Sequence, residues 1–388
     1  MSREYDLDAA RSALMMLGVV LHAANVYAEP ATWLVSDPVR SEGLRAVSDT
    51  IHVFRIPAFF VVAGFFAGFS LERYGPGGFL RRRCVRLVVP LVCSGVVLGL
   101  LQNWLLYRHG VAGYGPEGGG TEGLVEYLGT DAFQDGIREG LWVTHLWFLV
   151  NLIVYVFAMA LLASIPAVGR GCGAVVERLN RTIDPRGLFV RRALFLFVLP
   201  FGALLSQVLT GVTPGAYDSV FGVTSLYTLL AYAPYFVVGV FAFRAREYFE
   251  ALRAPGFWVF LALALVAAGN TLLTDSSGRA AGALRAYGAD LVVWLSISIV
   301  LAAFRRFASR PSTRFAYLSE ASYTVYLFHH LCVLGLGILL AAEMPASIGP
   351  WVRFTMVVIT TTLATLALHH FAILRFSPLR FAFNGKWR

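Results

Sequence analysis

The chain has 388 residues, 57% of them hydrophobic and 14% charged, with a formal net charge of +9. A water-soluble domain carries about 25% charged residues, so this composition excludes a soluble globular enzyme and points to a polytopic membrane protein. The positive charge does not indicate a nucleic-acid partner, because it falls between long apolar runs and follows membrane topology.

Taken in order, apolar runs close to the ~20 residues that a span requires occur at about 11–28, 51–70, 87–106, 145–164, 193–210, 225–243, 257–273, 286–303, 323–342 and 351–375. The expected fold is all-α, a single transmembrane domain over 1–388 with about ten helices. The opening residues MSREYDLD make a poor signal-peptide n-region, so the first helix is expected to be retained. With the N-terminus in the cytoplasm, the inner segments hold 23 of the 32 Lys and Arg residues and the outer loops hold six. That asymmetry is a strong positive-inside signal and puts both termini in the cytoplasm. The longest outer loop, 107–144, is Gly-rich and acidic; Leu124, Val125, Leu128, Ile137 and Leu141 fit either a helix lying on the outer surface or a solvated loop. The inner stretch 165–192 has no such periodicity and reads as a connector. The four cysteines form no C-x-x-C pair and none lies in an outer segment, so neither a disulfide nor a zinc site is expected.

Within these helices the ionisable residues are few and sided. On the first, Arg11 and His22 are eleven residues apart, three turns plus about 20°, so they share a face at a separation of about 16 Å. Such a pair is costly in lipid and should face the protein interior. It fits an arginine meeting an anion near the cytoplasm with a histidine doing proton chemistry deeper in; a snorkelling arginine with a packed histidine fits equally. His52 and Arg55 open the second helix from outside, His145 opens the fourth, and Tyr323, Tyr326 and His330 share a face of the ninth, where His329 also lies near mid-bilayer. Imidazoles thus converge from four helices, which suits proton transfer near neutral pH, whereas His109, His369 and His370 are accounted for by loop exposure or helix packing. No H-E-x-x-H or H-x-x-E-H spacing supports a metal. On the opposite side, FLRRRCVRLVVP puts Arg83 and Arg86 on one helical face; guanidinium forks of this kind bind phosphate, and a plain topology signal would look the same.

Together these residues resemble the integral-membrane acyltransferase-3 family, whose hallmark is an arginine and a histidine separated by ten residues in the first helix, here Arg11 and His22, with a paired-arginine motif before the third helix, here Arg83-x-x-Arg86. The stretches REYDLDAARSALMMLGVVLH, IHVFRIPAFFVVAGFF, HLWFLVNL, SYTVYLFHHLCV and FAFNGK are similar, in order along the whole chain, to family members that succinylate osmoregulated periplasmic glucans. One departure is Ala63-Gly64, where many members have Ser-Gly. The resemblance implies a bacterial inner-membrane O-acyltransferase with no permanently bound cofactor, an acyl-CoA donor (succinyl-CoA) in the cytoplasm and a periplasmic glucan acceptor. His22 would be the general base or a nucleophile, with His52, His145 and His330 orienting it, holding the acceptor or polarising the thioester. Arg11, Arg83 and Arg86 would bind the donor, and Arg55, Trp147, Asn151, Tyr323, Tyr326 and His329 would hold the acceptor or support the site. An acetyltransferase acting on another envelope glycan has the same marks. A glycan or lipid flippase would show two related halves with broken helices, and no internal symmetry of that kind is visible.

Overall fold

The computed structural model describes residues 4–181, 195–254 and 256–387. Its helices are α1 (Tyr5–Val26), α2 (Glu42–Ser94), α3 (Leu100–Arg108), α4 (Leu124–Tyr127), α5 (Asp131–Arg138), α6 (Trp147–Ala163), α7 (Pro166–Arg181), α8 (Pro200–Val212), α9 (Leu226–Arg244), α10 (Arg246–Arg253), α11 (Trp258–Leu272), α12 (Arg279–Phe307), α13 (Thr313–Glu343), α14 (Pro350–Leu368) and α15 (Ser377–Asn384). A hairpin of two-residue strands, β1 (Ser219–Val220) and β2 (Thr224–Ser225), pairs antiparallel in the loop between α8 and α9. The all-α expectation holds.

Eight described helical runs are long and apolar enough to cross a membrane, or nine if α10 and α11 form one bent span. The difference from ten lies in the run Glu42–Arg108, which holds two expected segments. Gly75 interrupts it with a left-handed φ of 66° and a ψ of 173°, and Pro76 follows. Arg83 Nη2 donates to the Phe66 carbonyl at 2.8 Å, whereas seventeen residues of straight helix would separate them by about 25 Å. The two arms therefore double back on each other. Outward-facing Val96, Leu161, Val208, Val212 and Leu265 are exposed, as lipid-facing side chains are when no lipid is present.

The first arm of α2 is the centre of the bundle, packed against α1, α6 and α9. Its crossing with α9 is close because both helices lack side chains there: a Cβ on Gly64 would lie 2.1 Å from the Phe236 carbonyl oxygen, and one on Gly239 2.0 Å from that of Val61. Gly64 is thus a packing residue, which explains the glycine of the Ala63-Gly64 pair. α13 runs along α1 and α14, and Leu14, Phe60, Leu149, Leu295 and Leu327 belong to one apolar core. The two chain ends lie at the same end of the bundle. Glu4 accepts from Arg246 (2.7 Å) and Arg253 (3.2 Å), and Lys386 lies 3.6 Å from Glu320, beside the Ser319 hydroxyl that Arg11 contacts at 3.3 Å.

Two expectations change. The first part of 165–192 is helical (α7), with residues 182–192 outside the described part; Gly169, Gly171 and Gly173 are poor helix formers, and they give the stretch the look of a connector. The loop 107–144 holds two short helices, α4 and α5, rather than one surface helix.

Candidate active site

At the end of the bundle opposite the chain termini, a cavity of about 450 Å³ opens between α1, the first arm of α2, α6, the loop 27–41 and α13. His22, His52, Arg55, His145, Trp147 and His330 all line it. Four imidazoles meet at its base. His22 lies 4.8 Å from His330 and 5.3 Å from His329, centroid to centroid, and His145 stacks on His330 at 4.5 Å and 10°. The convergence expected for helices one, four and nine is present. His52 is exposed and stands at the rim, outside the ring cluster.

Hydrogen bonding distinguishes the four. A carbonyl oxygen only accepts, so His145 donates from Nε2 to Tyr326 O (3.1 Å), and its Nδ1 is left to accept from the Thr144 hydroxyl (3.1 Å). The Tyr326 hydroxyl donates back to the His145 carbonyl at 2.9 Å, a reciprocal brace between α6 and α13. His329 donates from Nδ1 to the same Tyr326 oxygen at 2.7 Å, which leaves its Nε2 unprotonated and without a protein partner. His330 is joined through Nδ1 to Gln102 Oε1 at 2.7 Å, which leaves its Nε2 toward the cavity. His22 has no protein hydrogen bond among the described residues; its Nδ1 is buried without a partner, and the ring is held by stacking on Trp33 at 5.4 Å and 21°. It is the one imidazole of the four with both nitrogens uncommitted.

The other supporting residues divide by depth. Trp147 forms a wall of the cavity and leans on Tyr232 at 5.4 Å. Asn151 is fully buried behind it and accepts from the Thr224 hydroxyl at 2.6 Å, which fixes the hairpin whose Gly222 and Val223 reach the cavity. Tyr323 does not join the histidines: its hydroxyl donates to the Arg86 carbonyl at 3.2 Å, toward the terminal end of the bundle. There Arg11 lies over the Phe66 ring at 5.3 Å and 3.4 Å from Asp8, while Arg83 donates to the Phe66 carbonyl, so the two arginines meet at one residue of α2. Arg86 is exposed. Arg11 and His22 lie on one unbroken helix, which preserves the separation of about 16 Å between a guanidinium end and an imidazole end.

Sequence reasoning missed Trp33, Asn25 and Gln102. Asn25 follows His22 by three residues and so shares its face, a legible signal; it accepts from the Ser48 hydroxyl and lines the cavity. Gln102 meets His330 across 228 residues, and no local pattern announces that contact. His369 is buried against Thr324 at 2.8 Å, the packing role expected of it.

A helical membrane bundle with an imidazole cluster, one ring of it uncommitted, under a cavity at one end and guanidinium forks at the other has the parts of a group-transfer enzyme acting within the bilayer. Residues 4–370 match the acyltransferase domain family. The chain belongs to that family, acyltransferase-3, and is a membrane acyltransferase. It is also similar to proteins named "Glucans biosynthesis protein C" from Salmonella paratyphi B, Salmonella enteritidis PT4 and Salmonella agona, each 26% identical over 99% of this chain and 95% of the relative. No solved structure matches it.

Proposed function

We propose that the protein is an inner-membrane O-acyltransferase that moves an acyl group, succinyl by analogy with the glucan-modifying relatives, from cytoplasmic acyl-CoA to hydroxyls of a periplasmic glucan. The observation that carries this reading is His22, an uncommitted imidazole facing a cavity on the same helix as Arg11, with the guanidinium cluster at the other end. The orientation rests on the excess of 23 basic residues over six in the inner segments. In this scheme His22 takes the proton of the acceptor hydroxyl as its oxygen attacks the thioester carbonyl. The C–S bond breaks as the tetrahedral centre collapses, and the leaving thiolate takes the proton back from the imidazolium. His330 Nε2 and the Tyr326-braced His145 flank the reacting centre and orient the hydroxyl. Incubating the purified protein with succinyl-CoA, acetyl-CoA and a periplasmic glucan, then weighing the glucan, tests the reading. Glucan carrying succinyl esters is the expected product; unmodified glucan from protein that binds the coenzyme would overturn it and favour a transporter.

The donor side carries its own prediction. Phosphate contacts act equally in ground and transition states, so removing them raises KM with little change in kcat. Arg86→Ala is expected to raise the donor KM by about tenfold, the scale of one charge-assisted hydrogen bond, without affecting stability. Arg83→Ala should do the same and also lower the melting temperature, because Arg83 ties the two arms of α2 together at Phe66. Unchanged donor binding in both variants would make these arginines topology signals alone.

A further inference from the structure

Among the described residues, two arginines are almost completely buried, and they differ in what faces them. Arg353 is 1% exposed, and all five of its N–H groups have acceptors, one of them the Asp37 carboxylate at 2.6 Å. Arg55 is 5% exposed, and among the described residues its one hydrogen bond runs from Nε to the Leu14 carbonyl at 3.1 Å. No carboxylate pairs with it among those residues. An unpaired charge held out of water is costly, and intramembrane cations are found facing a partner or a pathway. Arg55 faces the cavity.

Its place in that cavity narrows the partner. A Cβ on Gly18 would lie 2.9 Å from Arg55 Nη2 and 3.0 Å from His329 Nε2, so the guanidinium and the unpartnered imidazole nitrogen converge over bare backbone. Gly18 is one turn of α1, about 6 Å, from His22 toward the guanidinium end, and seven residues, about 10 Å, from Arg11. The coenzyme phosphates belong with Arg11, Arg83 and Arg86, beyond Arg55. A transient oxyanion faces this charge only in the transition state, whereas a group carried on the donor faces it for as long as the donor is bound. A carboxylate on the far end of a short acyl chain answers it: Arg55 and His22 line one cavity, with the guanidinium at Gly18, about 6 Å in helical rise from His22.

We infer that Arg55 forms the subsite for a carboxylate at the distal end of the acyl group, so that the donor is the thioester of a dicarboxylic acid. The inference rests on the acyl-transfer reading and adds the residue that selects the acyl group. Succinyl-CoA and its neutral isostere butyryl-CoA separate the two ideas, each assayed for binding and for transfer with wild type, Arg55→Gln and Arg55→Lys. Wild type should prefer succinyl-CoA. Arg55→Gln should lower kcat/KM for succinyl-CoA by about 10²-fold, the scale of breaking a buried charge pair, and for butyryl-CoA by less than about tenfold. Arg55→Lys, which keeps the charge without the fork, should fall between and controls for folding. Equal losses with both donors, or a wild type indifferent to the carboxylate, overturns the subsite while the transfer reading stands. Arg55-dependent preference in binding without transfer to any glucan supports the subsite and sinks the transfer reading.

Discussion

His22→Ala is expected to abolish acyl transfer while the protein still folds, inserts and binds the coenzyme. A hydroxyl is a poor nucleophile while protonated, and removing its proton in the transition state is typically worth ~10²–10⁴ in rate. The structure gives a reason to assign that task to His22 rather than to its neighbours. His145 and His329 both spend a proton on the Tyr326 carbonyl, and His330 is tied to Gln102, whereas His22 has neither nitrogen engaged by protein and faces the cavity. His22→Gln keeps hydrogen bonding and cannot accept the proton, so it should be nearly as inactive as alanine. The measurement is the initial rate at saturating donor and acceptor, normalised to folded protein, with coenzyme binding followed in parallel. Substantial turnover in His22→Gln would make the residue structural and move the base to His330, whose free Nε2 also borders the cavity. An acyl adduct trapped on His22 with donor alone would favour a two-step path through a covalent intermediate.

Much of this site is legible in the sequence, and the boundary between what is and what is not has a physical basis. Apolar run length points to about ten spans where eight or nine described helical runs are long and apolar enough to cross a membrane, and the spacing from Arg11 to His22 gives their common face, because both signals are local to one helix. The convergence of His22, His145 and His330 follows from the rarity of ionisable groups in lipid, a constraint strong enough to act at a distance. What decides roles among the histidines is which nitrogen is spent, and that depends on Tyr326, Gln102 and Thr144, set by tertiary packing. Tyr323 illustrates the limit: it lies three residues before Tyr326, on the same helical face, yet its hydroxyl turns to Arg86. The Gly75–Pro76 pair is a readable turn signal, and it is what resolves the unbroken run Glu42–Arg108 into two arms. Trp33 lies in the short loop after α1, with no periodicity; it stacks on His22, and four residues on, that loop is joined by an ion pair to a residue 316 positions away in the chain.

That ion pair yields the largest expected effect on stability. Asp37 and Arg353 are 0% and 1% exposed and approach to 2.6 Å. Arg353 also donates to the carbonyls of Leu340, Met344, Pro345 and Ile348, at 2.8 to 3.2 Å, and so closes the turn between α13 and α14. Asp37 accepts from the Val39 amide at 2.7 Å, and its own amide donates to the Val26 carbonyl at 2.9 Å, which folds the loop after α1 back over the helix end. Breaking a buried pair by removing one partner typically costs about 3–5 kcal/mol, because the other charge is left uncompensated. Asp37→Asn should therefore destabilise strongly while leaving four carbonyls on Arg353. Arg353→Met should be at least as severe, since it strands those carbonyls together with a buried carboxylate. Thermal unfolding of the detergent-solubilised protein measures both, and a melting temperature equal to wild type for Arg353→Met would show that the pair contributes nothing. The catalytic consequence is separable. Trp33 lies four residues before Asp37 and is the stacking surface for His22, so at temperatures where Asp37→Asn remains folded its kcat should fall with little change in donor KM. A donor KM that rises as steeply as kcat falls would instead mean that the damage spreads through the bundle to the arginine end.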